Sequence, residues 1–397
     1  MIFNTSWFLV FFPCAFLLLV ALPFAKLRFL VLLALSAVFH WHFAGPAGIA
    51  PVFAMGVATY TGGLLIGRAE GRARRRLFFA FLLVPVLGLL FYKYQALLLG
   101  TLGALVGGGL GERLAAVSPP ALPLAISFFT FEFVHYLTDV YTGSAPLRDP
   151  LRFALFSIYF PSIVSGPIKR FQPFLAQLDG GLRRPRLEDV VPGAGQALLG
   201  FFKKLVVADA ATEALALVEA APPSRLSVLV ILALLSVRIL FDFSGYSDIA
   251  IGLSRMLGLE LPQNFRMPYA ARNIAEFWQR WHISLSTWIR DYVYIPLGGG
   301  RAGTPRKILN LAATMFLCGL WHGPAWHFGV WGLYHGLGLG IHALWESSGA
   351  AARAARLPLA TPLAHILTLC FVAYGWLLFF HPLAQVARFT RVLWSGS

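Results

Sequence analysis

The sequence predicts an all-α integral membrane protein with many spans, and three observations carry that prediction. Of the 397 residues, 58% are apolar and only 12% are charged, against about 25% charged in an ordinary soluble domain. Apolar runs approaching the roughly 20 residues that a tilted helix needs to cross the hydrocarbon core recur along the whole chain. Lys and Arg gather between these runs with the asymmetry expected of cytosolic and external loops.

The runs are Trp7 to Phe24, Phe29 to Ala44, Pro51 to Gly67, Leu77 to Phe91, Leu122 to Tyr141, Leu226 to Phe243, Ile308 to Leu320, Trp326 to Leu344 and Pro362 to Phe380. The first has no Lys or Arg before it and no small-residue cleavage site after it, so it reads as a retained span and not as a signal peptide. Lys26 and Arg28 follow the first run and "RAEGRARRR" (68–76) follows the third, whereas "HWHFAGPAG" (40–48), between the second and third, has neither Lys nor Arg. This pattern places the N-terminus outside and both basic clusters in the cytosol. The net charge of +15 is then topology and not the mark of a nucleic-acid binder. Attraction of anionic lipid head groups or of a polyanionic donor would add to it.

The Gly-rich stretch 103–121 and "DGGLRRPRLED" (179–189) read as loops. With no repeat of 20 to 50 residues and no long linker, residues 1–397 read as a single transmembrane domain. Cys14, Cys318 and Cys370 all fall inside apolar runs. They read as reduced core residues, with no disulfide framework and no metal spacing among them.

Ionisable groups at membrane depth cost about 3 kcal/mol or more each, so those present demand a use. Glu132, His135 and Asp139 in "FFTFEFVHYLTDVY" share roughly one helix face, and three uses are open: a satisfied interhelical cluster, a channel lining or catalysis. "FDFSGYSDIAIG" (241–252), with Asp242 and Asp248, reads as a polar, Gly-containing break that lines a cavity. "FPSIVSGPIKRF" (160–171) reads in the same way, because irregular backbone at depth is tolerated only where protein or a water-filled cavity covers it.

"EFWQRWHISLSTWIRDY" (276–292) concentrates more chemistry than any other stretch. As a helix it pairs Glu276 with Arg280 and repeats Trp278, His282 and Ser286 every fourth residue, beside a stripe of Trp281, Leu285 and Trp288. Such a segment either lies in the interface as an aromatic anchor or folds back into the bilayer against a cavity. "GLWHGPAWHFGVWGLYHG" (319–336) then sets His322, His327 and His335 among Trp321, Trp326, Trp331 and Tyr334. Histidine, with an unperturbed pKa of about 6.5, is the natural base for a hydroxyl proton near neutral pH. No HExxH and no Cys in a ligand pattern support a metal, no GxSxG elbow is present, and "GGGR" (298–301) lacks the phosphate-loop ending.

Residues 263–299, "QNFRMPYAARNIAEFWQRWHISLSTWIRDYVYIPLGG", taken with "GLWHG" (319–323), resemble the membrane-bound O-acyltransferase family. "LPLAISFFTFEFVHYLTDVY", "FPSIVSGPIKRF", "GFFKKLVVAD" and "FDFSGYSDIAIG" are similar to blocks of its bacterial branch, which includes proteins of alginate O-acetylation and of D-alanyl transfer to teichoic acid. The likeness spans most of residues 1 to 380, with its signature at about 241–336.

The resemblance implies a ring of membrane helices around a funnel or tunnel, with short re-entrant or interfacial helices. It makes His322 the essential histidine and His282 the other tunnel histidine. Trp278, Trp281 and Trp321 would wall the site, Asp248, Arg280 and Asp291 would fix local geometry, and Ser286 and His335 would line the tunnel, a structural role fitting His335 equally. It also implies acyl transfer from a cytosolic thioester such as acetyl-CoA, with no bound cofactor, toward an extracytoplasmic polysaccharide. A periplasmic acetyltransferase partner and a place in the bacterial inner membrane go with that. D-alanyl transfer, lipid or protein acylation in the same fold, and a transporter or flippase without covalent chemistry are the alternatives.

Overall fold

The structure, a computed structural model, describes residues 2–164, 166–301, 303–349 and 359–395. Among these the regular structure is helical throughout, as an all-α membrane protein requires. Among the described residues five stretches are long and apolar enough to cross a membrane: Ala25–Arg68, Gly71–Val106, Leu187–Glu219, Arg225–Met256 and Ala360–Phe380. The chain packs as two compact units, Met1–Leu198 with Asp248–Pro262, and Leu199–Ser247 with Gln263–Ser397.

The first unit opens with α1 (Ser6–Ala21) and α2 (Ala25–Arg68). The second and third apolar runs are two helical arms of α2 that meet at Gly45, whose φ of 63° no helix interior holds. Pro46 follows; it supplies no N–H and restarts the helix as a first-turn residue. Buried Arg28 donates from Nε to Leu182 O at 2.9 Å and from Nη1 to Leu22 O at 2.7 Å, so this cation ties the start of α2 to the segment before α9.

Then follow α3 (Gly71–Leu89), a wider turn at Leu90–Tyr94, α4 (Gln95–Val106) and α5 (Gly108–Ala115). The expected loop at 103–121 is therefore corrected: its first part is helical. Gly103 and Gly111 lie where the backbones of α4 and α5 touch, so glycine here serves helix contact and not a loop.

Helix α6 (Ile126–Thr142), α7 (Pro150–Ile158) and α8 (Phe171–Ala176) bracket the Pro- and Gly-containing stretch 160–170, which is non-helical as expected; Ser165 within it lies outside the described residues. Buried Lys169 pairs with buried Glu132, and its Nζ sits 4.8 Å from the Phe156 ring centroid. The Phe171 N–H donates to His135 Nε2 at 3.2 Å and Gln172 Nε2 donates to Asp139 Oδ2 at 2.8 Å. Glu132, His135 and Asp139 thus all bond to one short segment, residues 169–172, which is the interhelical-cluster use. Replacing Lys169 by Met leaves a buried unpaired carboxylate and is expected to cost about 3–5 kcal/mol. Thermal unfolding of the detergent-purified protein checks this, and Lys169→Met with Glu132→Leu should recover most of the loss.

Helices α9 (Leu187–Phe202), α10 (Asp209–Glu219) and α11 (Arg225–Met256) correct two further expectations. Residues 187–219 had no place among the apolar runs because Lys203, Lys204, Asp209 and Glu213 interrupt them; Lys204 is neutralised by Asp209 at 2.6 Å and Asp242 at 2.8 Å. The stretch 241–252 is not a break, because α11 runs through it. A Cβ on Gly245 would lie 2.8 Å from Gly200 O, and one on Gly252 would lie 2.6 Å from Ala197 N and overlap Gly193 O. The glycines let α9 and α11 approach closely, as small residues do where lipid offers no hydrophobic drive for helix association.

The second unit continues through α12 (Ile274–Arg280), α13 (Ile283–Ile289), α14 (Thr304–His322), α15 (Trp326–Ser347), α16 (Ala360–Phe380) and α17 (Leu383–Ser395). Cys318 is buried, but Cys14 and Cys370 are exposed on apolar helix faces, which corrects their reading as core residues.

Candidate active site

His322 is the last residue of α14, and the reason is local. Gly323 and Pro324 follow; a residue before proline is pushed toward extended backbone, and Gly323 takes φ −170°, ψ 157°. The chain turns and re-enters as α15. The two helices pack so closely that a Cβ on Gly319 would overlap Phe328 O and one on Gly332 would overlap Met315 O. This glycine-lined contact fixes where the end of α14, and with it His322, stands against α15. The imidazole lies edge-on to Trp331 at 5.2 Å and to Phe379 at 5.0 Å, with Trp321 at 4.8 Å.

His282 arrives from a different construction. The single helix expected over 276–292 is broken: α12 ends at Arg280, Trp281 is extended, and His282 adopts φ 40°, ψ 55° before α13 begins. A left-handed conformation in a non-glycine residue costs of order 1–3 kcal/mol and persists only where its surroundings impose it. The fourfold repeat of Trp278, His282 and Ser286 therefore does not form one helical stripe. Ser286 Oγ instead donates to Trp281 O at 3.1 Å across the break.

Helix α12 is firmly begun and ended. Asn273 Oδ1 caps the helix by accepting from the Glu276 N–H, and Glu276 Oε2 accepts from the N–H of Arg272, just before the cap, each at 2.8 Å. The expected pair of Glu276 with Arg280 forms at 2.6 Å. The Arg272 N–H first, and then the Arg280 guanidinium, hold the Glu276 carboxyl below its ordinary range. Arg280 is thus a strut of the turn.

The segment just before α12 holds the other side of the break. Asn264, fully buried, accepts at its backbone oxygen from the Ile283 N–H at 2.9 Å. Its Oδ1 accepts from Ser284 Oγ at 2.6 Å, and its Nδ2 donates to Ser247 Oγ at 3.0 Å. The Arg266 N–H donates to Arg280 O at 3.0 Å.

The His282 ring, 1% exposed, meets Phe243 edge-on at 4.5 Å and Trp321 at 5.9 Å. Trp321 therefore borders both His282 and His322. Trp331 continues the row to His335 at 4.9 Å, and Trp278 meets His335 at 5.3 Å and Trp331 at 5.8 Å. Trp281 stacks at the base, 5.5 Å from Phe277 and 4.9 Å from Trp376. Both ring nitrogens of His282 and of His335, and the indole N–H groups of Trp278 and Trp331, lack a hydrogen-bond partner among the described residues. Buried polar groups are nearly always bonded, so each of these atoms calls for an explanation, as do both His40 nitrogens in the first unit.

The structure thus gathers His282, His322, His335, Trp278, Trp281 and Trp321. It places Asp291 beside Arg290, with Nε to Oδ1 at 2.8 Å, and Asp248 in the first unit, where Gln196 Nε2 donates to it at 3.1 Å. Trp331, Phe379, Phe243 and Asn264 were not among the candidates. The three aromatic residues carry no signal that separates them from other residues of apolar runs, and Asn264 reads as a loop amide.

The arrangement defines a helical membrane protein with two histidines on a shared tryptophan inside an aromatic basket. The family model described as MBOAT, membrane-bound O-acyltransferase family, matches residues 125–381, and the chain belongs to this family; it is an O-acyltransferase. It is 37% identical to a protein of Azotobacter vinelandii named probable alginate O-acetylase, over 96% of this chain and 75% of that relative. It is 31% identical to a peptidoglycan O-acetyltransferase of Helicobacter pylori, over 96% of this chain and 77% of that relative. A teichoic acid D-alanyltransferase of Bacillus subtilis is 31% identical over 64% of this chain and 68% of its own length.

Proposed function

We propose that the protein moves an acetyl group from a cytosolic thioester, acetyl-CoA or another, toward O-acetylation of an extracytoplasmic polysaccharide. The observation that carries this reading is the pair His282 and His322 bordering Trp321, with both ring nitrogens of His282 unbonded to any described residue in a wall of aromatic side chains. Similarity to relatives named for alginate and peptidoglycan O-acetylation favours acetate over D-alanine.

In this mechanism a ring nitrogen of His322 takes the proton of the attacking hydroxyl as its oxygen bonds to the thioester carbonyl carbon. The C–S bond then breaks, and the thiolate recovers the proton from the imidazolium. His282 donates toward the carbonyl oxygen as negative charge develops there, which is worth most where water is excluded. Trp278, Trp281 and Trp321 keep the site dry, so the thioester is not spent on water.

Arg280, Ser286, Asp291 and His335 complete the candidate set of the second unit in supporting roles, and Asp248 is a candidate within the first unit. The protein is placed in the bacterial inner membrane as one domain, its N-terminus outside, with a separate periplasmic acetyltransferase as the partner that completes transfer. No bound cofactor enters this scheme.

Radiolabelled acetyl-CoA supplied to the cytosolic face of sealed inverted membrane vesicles tests the direction of transfer. Alkali-labile acetate inside the vesicles, absent without the protein, is the expected result. Label that appears as D-alanyl ester only when D-alanine is the substrate, or intact polymer moved without esterification, contradicts it.

A further inference from the structure

We infer that Asn264 is a positioning residue for acyl transfer, acting through His282. This rests on the reading above that His282 takes part in the reaction. His282 stands in a backbone conformation that its own side chain disfavours, and the residue after it is where the chain is held. Asn264 accepts from the Ile283 N–H with its main chain and from both the N–H and the Oγ of Ser284 with Oδ1, at 2.9, 3.3 and 2.6 Å. One buried residue thus takes the first two N–H groups of α13, immediately after the left-handed turn.

These contacts have an anchor. Asn264 Nδ2 donates to Ser247 Oγ on α11 at 3.0 Å, and Phe243, one turn earlier on that helix, packs against the His282 ring at 4.5 Å. The same helix therefore contacts the imidazole directly and, through Asn264, the backbone that carries it. Since neither His282 nitrogen bonds to a described residue, the ring's direction is set by this turn and by aromatic packing, not by a hydrogen-bonded partner of its own.

Ala at 264 removes the amide that fills both roles, freeing the turn to relax toward the helical conformation its sequence favours. Asp keeps Oδ1 as acceptor for Ser284 and, when protonated, can still donate to Ser247. A residue that only stabilises the fold changes how much protein is folded. One that orients His282 changes the turnover of the folded molecules.

The test measures acetyl transfer by purified, monodisperse full-length protein with acetyl-CoA as donor, for wild type, Asn264→Ala, Asn264→Asp, Ser284→Ala and His282→Ala. A misplacement on the order of an ångström costs about 10²-fold, so Asn264→Ala should lose about that much kcat with little change in the donor KM. Asn264→Asp should recover at least about a tenth of wild-type kcat. Ser284→Ala, which removes the 2.6 Å bond from Oγ and keeps the Ser284 N–H, should lower kcat by about 3- to 10-fold, and it decides the question if Asn264→Ala does not fold. An inactive His282→Ala beside wild-type kcat in Asn264→Ala or Ser284→Ala overturns the positioning role. Equal loss in Asn264→Ala and Asn264→Asp overturns its hydrogen-bonded basis. Full activity in His282→Ala overturns instead the reading of the site on which the inference rests.

Discussion

His322→Ala is expected to lower acyl transfer by about 10² to 10⁴-fold, the range supplied by a positioned general base, while leaving the protein folded. The fold should survive because the ring is not fully buried and ends a helix whose stop is dictated by Gly323-Pro324. Without it Trp331 and Phe379 keep their own edge-on contact at 5.2 Å, and Trp321 keeps its contact with His282. The measurement is transfer rate per folded molecule from acetyl-CoA, with monodispersity checked by gel filtration. His322→Gln keeps most of the volume and hydrogen-bonding capacity but cannot act as a base, so it should be as inactive as Ala. Activity retained by Gln would assign His322 to orientation and not to proton transfer.

The second large effect concerns the scaffold of that residue. Gly332→Val is expected to destabilise the second unit by about 3 kcal/mol or more, the upper end for overpacking, and to remove activity with it. The added side chain would start in overlap with Met315 O, which is backbone and cannot swing aside. Gly319→Ala meets Phe328 O in the same way from the opposite helix. Either the helices α14 and α15 separate, exposing Cys318 and moving His322 away from Trp331, or the protein fails to accumulate. Membrane level and the thiol reactivity of buried Cys318 report the two outcomes; wild-type values for both would show that the close contact is dispensable.

How much of this was legible in the sequence follows from the range of the forces involved. The end of the apolar run at Leu320 could be read because the change to Trp-His-Gly-Pro is local. The pair Glu276 with Arg280 could be read because i,i+4 neighbours need only local helix, and Asn273-x-x-Glu276 starts that helix. The left-handed turn at His282 could not. Its conformation is imposed from Asn264, 18 positions earlier, and nothing in Trp-His-Ile-Ser separates it from a continuous amphipathic helix.

The same limit explains the errors over glycine. Gly45, before Pro46, does bend its helix, whereas Gly245 and Gly252 only admit a neighbouring backbone, and those two uses look alike until the neighbour is known. Residues 187–219 do not read as a span because Lys204 counts against hydropathy in isolation, although Asp209 and Asp242 neutralise it in place. The histidines were found because their residue type is costly at membrane depth. Trp331, Phe379 and Phe243, which shape the space around them, are ordinary there.

His322 is proposed to perform acyl transfer that ends as O-acetyl ester on an extracytoplasmic polysaccharide. The most direct measurement is the acetate content, by NMR, of purified surface polysaccharide from a deletion strain complemented with wild type or with His322→Ala at matched membrane levels. Acetate lost on deletion, restored by wild type and absent with His322→Ala is the predicted result. Acetate unchanged in the deletion strain, or fully restored by His322→Ala, would contradict it.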